Sequence, residues 1–216
     1  MDFNTDFKPL TVDPDKIYDY SFSIIAEEMG AHDFSDDEWM IVRRIIHASA
    51  DFELGRSVII HPNAIRAGVE AIRKGRHVIA DVQMIESGTG KTRFQKHGGD
   101  VHCYISDPDV TVEAKRLKTT RAIISMQKAV RENAGGIYAI GNAPTALLEL
   151  IRLIKEGIAK PDLIIGMPVG FVSAAESKEE LAKIAEVPFI TNVGRKGGST
   201  VTVAALNAIS LLADQV

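Results

Sequence analysis

Hydrophobic residues along this chain follow two spacings: short solid runs, and longer stripes at helical intervals. The solid runs fall at 57–60, 77–82, 101–105, 137–140, 163–165 and 188–193, and predict strands. Between them apolar positions recur every three or four residues, which predicts helices. Ile17 to Met29 carries such a stripe and stops at Gly30, a residue type that tolerates the left-handed backbone after a helix. Ser35-Asp36-Asp37-Glu38 has capping-box spacing and should open a second helix through Ile41, Ile45 and Ala48. Further helices are expected at 63–74, entered through His61-Pro62-Asn63 and stopped by Gly75, and as one long rod from Val110 to Glu132 ended by Gly135-Gly136. Residues 86–99, rich in Gly, Lys, Ser and Thr, read as a mobile loop, and the first ten or so residues as a polar, extended lead.

Strands that alternate with helices of this length predict an α/β fold with a parallel sheet and right-handed crossovers. The strand runs VIADV, IYAI and LIIG are nearly all apolar, as expected when helices cover both faces of the sheet. No linker or internal repeat divides the chain. The expectation is therefore a single three-layer α/β/α domain over residues 1–216, with an N-terminal helical arm. Arms of this kind often wrap a partner subunit, so a homodimer is the default expectation.

Three glycine-marked loops follow one another in the last third: Gly141-Asn142-Ala143-Pro144-Thr145, Gly166-Met167-Pro168-Val169-Gly170 and Gly194-Arg195-Lys196-Gly197-Gly198-Ser199. Each follows an apolar run and precedes a helical stretch, at 146–155, 174–185 and 201–212. In an open parallel sheet such loops line one crevice at the carboxyl ends of the strands, where ligands bind. Glycine backbone N–H groups and helix N-termini there favour an anion. Arg195 lies in the last of these loops, where its guanidinium can grip a carboxylate through two hydrogen bonds.

Composition narrows the ligand. A net charge of −4 over 216 residues argues against a general nucleic-acid binder, which needs a basic face. It leaves room for an acidic small molecule held by local cations. Cys103 is the one cysteine, which suits a reducing cytoplasm. Neither a signal peptide nor an apolar run of membrane-spanning length is present, so the protein is expected to be soluble and cytoplasmic, without a membrane partner.

Arg43, Arg44, His47 and Asp51 are spaced so that 44, 47 and 51 share a face of the second helix. There Asp51 can orient the imidazole for proton transfer, although the same pattern also describes an ordinary charged helix surface. Ser87-Gly88-Thr89-Gly90-Lys91-Thr92 resembles the end of a phosphate-binding loop, but position 85 is Ile where that motif needs glycine. His97, His102 and Cys103 match no zinc spacing, so no metal is expected. Arg121, after Lys118-Thr119-Thr120 within the expected rod, reads by itself as solvated charge.

Taken together, Ile46-His47-Ala48, GNAPTALLEL at 141–150, GMPVGFVSAAESK at 166–178 and GRKGGS at 194–199 resemble the precorrin-8X methylmutase family, which includes the cobalt-precorrin-8 methylmutases of cobalamin synthesis. The similarity runs from about Tyr18 to Leu211, and departs mainly at 86–100. It implies a flavodoxin-like fold, a homodimer with substrate sites near the subunit interface, and an isomerase that needs no cofactor. The reaction it implies moves a methyl group from C11 to C12 of a contracted tetrapyrrole, giving hydrogenobyrinate or cobyrinate. By motif position His47 matches the catalytic histidine, which protonates the ring system and then recovers the proton. Ser21, Arg44 and Arg121 match positions near the substrate, joined on the ligand face by Gly141, Asn142 and Arg195. Two other classes are weighed beside it: a corrinoid carrier without catalysis, and a nucleotide-dependent enzyme using the 87–92 loop.

Overall fold

In the computed structural model, residues 6–215 are described. They fall into two compact units that divide between Asp33 and Phe34. Of the extended lead, residues 1–5 lie outside the described residues, while 7–13 carry no regular helix or strand.

The first unit is built on α1 (Pro14–Met29). Asp13 caps it by accepting from the Asp15 N–H at 3.1 Å, with Pro14 at the first helical position, where a missing N–H costs nothing. Ser21 donates its hydroxyl to the Ile17 carbonyl at 2.8 Å, and Tyr18 and Phe22 meet edge to face at 4.4 Å. Gly30, at φ 65°, ends the helix.

The second unit holds α2 (Asp36–Ser49), α3 (Phe52–Arg56), β1 (Val58–Ile60), α4 (Ala64–Arg73), β2 (Val78–Ala80), α5 (Gln83–Gly88), α6 (Lys91–Gln95), β3 (Val101–His102), α7 (Pro108–Leu117), α8 (Arg121–Glu132), β4 (Ile137–Ile140), α9 (Pro144–Lys155), β5 (Leu163–Gly166), α10 (Ala174–Ala182), β6 (Phe189–Asn192) and α11 (Ser199–Asp214). The Ser35 box forms as expected: Glu38 donates its N–H to the Ser35 hydroxyl and accepts from the Ser35 N–H.

The strands lie in the order β1-β6-β5-β4-β2-β3. The five from β2 to β6 run parallel to one another, in the flavodoxin-like order 2-1-3-4-5 when numbered among themselves. The direction of β1 differs from the expectation. It is an antiparallel edge, pairing Val58 with Asn192 and Ile60 with Ile190. An apolar run reports burial and not direction, and such an added edge strand is common on parallel sheets.

Helices cover both faces. On one, α11 packs against α2, α4 and α5, and both α4 and α11 reach β5. Gly68 permits that approach, because a Cβ there would lie 2.8 Å from Leu163 and 2.9 Å from Ile209. On the other, α8 packs against α7 and α9, and α9 against α10. That side buries Met126, Tyr138, Ile140, Leu147, Leu150, Ile164 and Phe189 in one cluster. At about 25 cal/mol per Å² of apolar surface removed from water, such a cluster dominates the stability of the sheet.

Three local expectations change. The rod expected at 110–132 is two helices: Lys118 turns left-handed at φ 51°, and Thr120 caps α8 by accepting from the Ile123 N–H. Apolar stripes continue on both sides and hide the break, which two consecutive threonines favour. The supposed loop at 86–99 holds α5 and α6, anchored by buried Ile85 and Phe94. Its glycines are clamped by Asn207, which accepts from the Gly90 N–H at 2.9 Å and donates to the Gly88 carbonyl at 3.1 Å. Pro62 stands just before α4, whose N-cap is Asn63.

Candidate active site at the carboxyl edge of the sheet

The strand order reverses between β2 and β4, and the loops after β2, β4, β5 and β6 gather at that edge. The three glycine loops touch one another. A Cβ on Gly141 would lie 2.5 Å from the Thr202 hydroxyl and 2.8 Å from the Ser199 Cα. Gly198 donates its N–H to the Met167 carbonyl at 2.8 Å, and Gly170 to the Arg195 carbonyl at 3.1 Å. Gly197 sits at φ 149° with its Cα so close to β5 that a Cβ would lie 2.3 Å from the Met167 oxygen. Only glycine combines that backbone with that approach.

His47 lies in the last turn of α2 and is exposed, while Arg44, one turn earlier, is half-buried. The end of α2 faces the glycine loops because the segment after it is tied to them. Lys196 donates to Asp51 and to Glu53, both at 2.7 Å, and the Val193 N–H donates to the Ser57 carbonyl at 3.0 Å. Asp51 departs from its expected place. α2 ends at Ser49, Ala50 turns left-handed, and Asp51 caps α3 by accepting from the Leu54 N–H at 2.9 Å. It is thus beyond the helix face that carries His47. The Lys196 ammonium and the Leu54 N–H hold its carboxyl below the usual range, and the same bond to Asp51 raises the lysine.

Arg195 is exposed in the last loop, its guanidinium 5.8 Å from the ring centre of Phe171. Phe171 and Val172 are 86% and 82% exposed, so this part of the edge is apolar with a cation over it, suited to a flat anionic ligand. Arg121 is the first residue of α8, and its cap Thr120 lies 3.4 Å, hydroxyl to hydroxyl, from Thr145 of the first glycine loop. That places Arg121 beside the loop, a position its own helix pattern does not reveal. Ser21 belongs to the first unit, with its hydroxyl bonded as described above.

At Gly141 and Asn142 the backbone N–H groups have a partner within the protein. Both N–H groups, with that of Ala143, already donate to Asp81 at the end of β2. Gly141 reaches one carboxylate oxygen at 3.1 Å; Asn142 and Ala143 reach the other at 2.9 and 2.8 Å. Asp81 is 2% exposed, and burial raises its carboxyl above the ordinary range against the pull of the three N–H groups. The Asn142 side chain remains exposed at the edge. The signal for Asp81 was a lone carboxylate closing an apolar strand.

A second buried charge lies under the last loop. Lys178 is 2% exposed and donates to the Lys196 carbonyl at 2.6 Å and to Asn192 Oδ1 at 3.3 Å. Asn192 in turn donates to the carbonyls of Val193 and Lys196 at 3.1 and 2.8 Å. Burial pushes the Lys178 amine down to about 8.

The 87–92 segment is tied to the rest of the protein: Thr89 donates its hydroxyl to the Ile85 carbonyl, Lys91 pairs with Glu86, and Gly90 donates its N–H to Asn207 of α11. Among the described residues no group of three or more His, Cys, Asp or Glu side chains is placed to hold a metal, and no helix is long and apolar enough to cross a membrane. An open cleft of about 600 Å³ lies at the amino edge, lined by Glu38, His61, Arg66, Arg73 and others. It includes neither His47 nor a glycine loop.

The fold is a doubly wound α/β sheet whose strand order reverses between β2 and β4, the kind of place where open α/β sheets bind ligands. The model of the precorrin-8X methylmutase family matches residues 16–212. A cobalt-precorrin-8 methylmutase of Priestia megaterium is 71% identical, over 99% of this chain and 95% of its own length. A precorrin-8X methylmutase of Sinorhizobium is 37% identical over 92% and 94%. The crystal structure of a precorrin-8X methylmutase from Thermus thermophilus superposes with a TM-score of 0.85 at 42% identity, covering 92% of this chain and 96% of that one. The chain belongs to the precorrin-8X methylmutase family, and it is an intramolecular methyl transferase, an isomerase of cobalamin biosynthesis.

Proposed function

We propose that the protein moves a methyl group from C11 to C12 of precorrin-8X or cobalt-precorrin-8, giving hydrogenobyrinate or cobyrinate, with His47 as proton donor and then acceptor. The carrying observation is the exposed imidazole at the end of α2, four residues before Asp51, whose carboxylate is bonded to Lys196 of the last glycine loop. Protonation of the conjugated ring draws electrons toward C12. The C11–methyl bond breaks as the C12–methyl bond forms, and the proton then returns to His47. No atom is gained or lost, so no cofactor is consumed.

Arg44, Arg121, Arg195, Ser21 and the Asn142 side chain are assigned to the substrate, whose acetate and propionate groups suit guanidinium partners. Gly141 serves by close packing. Relatives at 71%, 51% and 45% identity carry the name cobalt-precorrin-8 methylmutase, which favours the cobalt-containing substrate. We take residues 1–216 to work as one methylmutase domain, as a homodimer in the cytoplasm. Exposed Ile17, Tyr20 and Ile24 on α1, with Phe171 and Val172, support subunit contact. A monomer at micromolar concentration in analytical ultracentrifugation argues against it.

The decisive experiment incubates the protein separately with each pigment and follows absorption. A shifted spectrum at unchanged mass is expected; no change with either form rejects the reading, and binding without conversion favours a carrier. His47→Ala should bind pigment and lose turnover by at least about 100-fold. Full turnover in that variant reassigns the proton donor.

A further inference from the structure

The strongest unassigned feature is the buried carboxylate at the switch point. In doubly wound folds the loop amides there face the ligand, yet here Asp81 engages three consecutive N–H groups with its two oxygens. Its environment makes this an unusual way to close a strand. A buried ionised carboxylate is costly unless fully hydrogen-bonded, and an apolar residue of similar size would often serve stability as well. What the carboxylate adds is a defined loop conformation.

We propose that Asp81 is a positioning residue for the methyl shift: it fills the amide cradle after β4 and so fixes Asn142 and the neighbouring start of α8 toward the substrate. The inference rests on the methylmutase reading above. Asp81 holds the loop from one side, and Gly198 and Ser199 press on Gly141 from another. The Thr120–Thr145 contact carries the loop's position to Arg121. With its amides engaged, this loop recognises substrate through side chains, and substrate carboxylates are left to the arginines.

The test replaces the carboxylate and then supplies it in solution. Asp81→Ala is expected to keep its far-ultraviolet circular dichroism and pigment binding while kcat falls about 100-fold, the effect of small misplacement in an active site. Formate, which fits the space of the deleted carboxylate, should restore at least about tenfold of that loss. Formamide, of equal size but neutral, should not. Formate should also raise the melting temperature of the variant and leave the wild type unmoved.

Wild-type turnover in the variant, or a loss that formate fails to restore, overturns the proposal. If Asp81→Ala does not fold, Asp81→Asn decides: full turnover overturns the assignment, and a tenfold or larger fall in a folded protein supports it, because an amide cannot accept on both sides. A wild type inactive on both pigments rejects the methylmutase reading instead. In that case the formate-dependent melting shift still judges the cradle: its presence supports a displaceable anion, its absence refutes one.

Discussion

Two of the glycine loops are anchored through opposite ends of the peptide unit. Under the loop after β4, a buried carboxylate accepts from three N–H groups. Under the loop after β6, a buried ammonium and the Asn192 amide converge on one acceptor, the Lys196 carbonyl. The first anchorage leaves the loop only its side chains for recognition. The second grips the carbonyl of Lys196, next to which Arg195 and Lys196 present exposed cations. The same glycine-rich composition thus produces different surfaces, because the buried partner decides which backbone groups are engaged. Both anchors are charged and both are nearly sealed from water, so removing the partners of either one leaves a costly buried charge.

The comparison can be broken hardest at the joint between loops. Gly197→Ala puts a Cβ against the Met167 oxygen at a backbone angle foreign to alanine. It should cost about 3 kcal/mol or more in denaturant unfolding. A loss below about 1 kcal/mol would show that the joint yields.

Next comes the acceptor side itself. Asn192→Leu removes both donations to the loop carbonyls and one acceptor of Lys178. It leaves a buried ammonium with less compensation, and about 3 kcal/mol of stability should disappear. Equal melting temperatures for variant and wild type would remove this anchor from the account.

Lys178 sharpens the comparison through pH. Its folded value, about 8, lies below the ordinary lysine value of 10.5. A depressed folded value means that its contribution is present above the unfolded value and is lost as pH falls through 8. Wild type should therefore gain stability relative to Lys178→Met between pH 8 and 10, by up to about 3 kcal/mol. A pH-independent difference between the two would show that the ammonium is not strained by burial. Near pH 7 the cost of burying the charge and its hydrogen bonds offset each other, so the two melting temperatures should differ little.

The smallest effect belongs to the outer face of the same loop. Lys196 is 45% exposed in its pairs with Asp51 and Glu53. Lys196→Ala should lower the melting temperature only slightly, and less at high salt. A larger loss, insensitive to salt, would mean that these pairs hold the end of α2 in place as firmly as the buried anchors hold the loops.

Local order in this protein was readable from neighbouring residues. The Ser35–Glu38 box, Gly30 after α1, the six apolar runs and the placement of the three glycine loops after strands are statements about residues close in sequence, and the fold contains them all. The break at Lys118 escaped because the helical stripe persists through it, and the order in 83–95 escaped because its clamp, Asn207, comes from α11.

The site divides the same way. His47 and Arg44 share a helix, so their relation was fixed by spacing alone. Asp51 was misplaced because one left-handed residue, Ala50, turned the chain off that helix. The direction of β1, the closeness of Arg121 to the first glycine loop, and the two buried charges depend on partners distant in the chain. Asp81 meets its amides sixty residues on, and periodicity carries no record of such a meeting. Sequence by itself determined which segments would be strands, helices and glycine loops, since propensity and burial act locally. Tertiary structure alone decided which backbone groups those loops could offer, since that depends on which buried charge packs beneath each one.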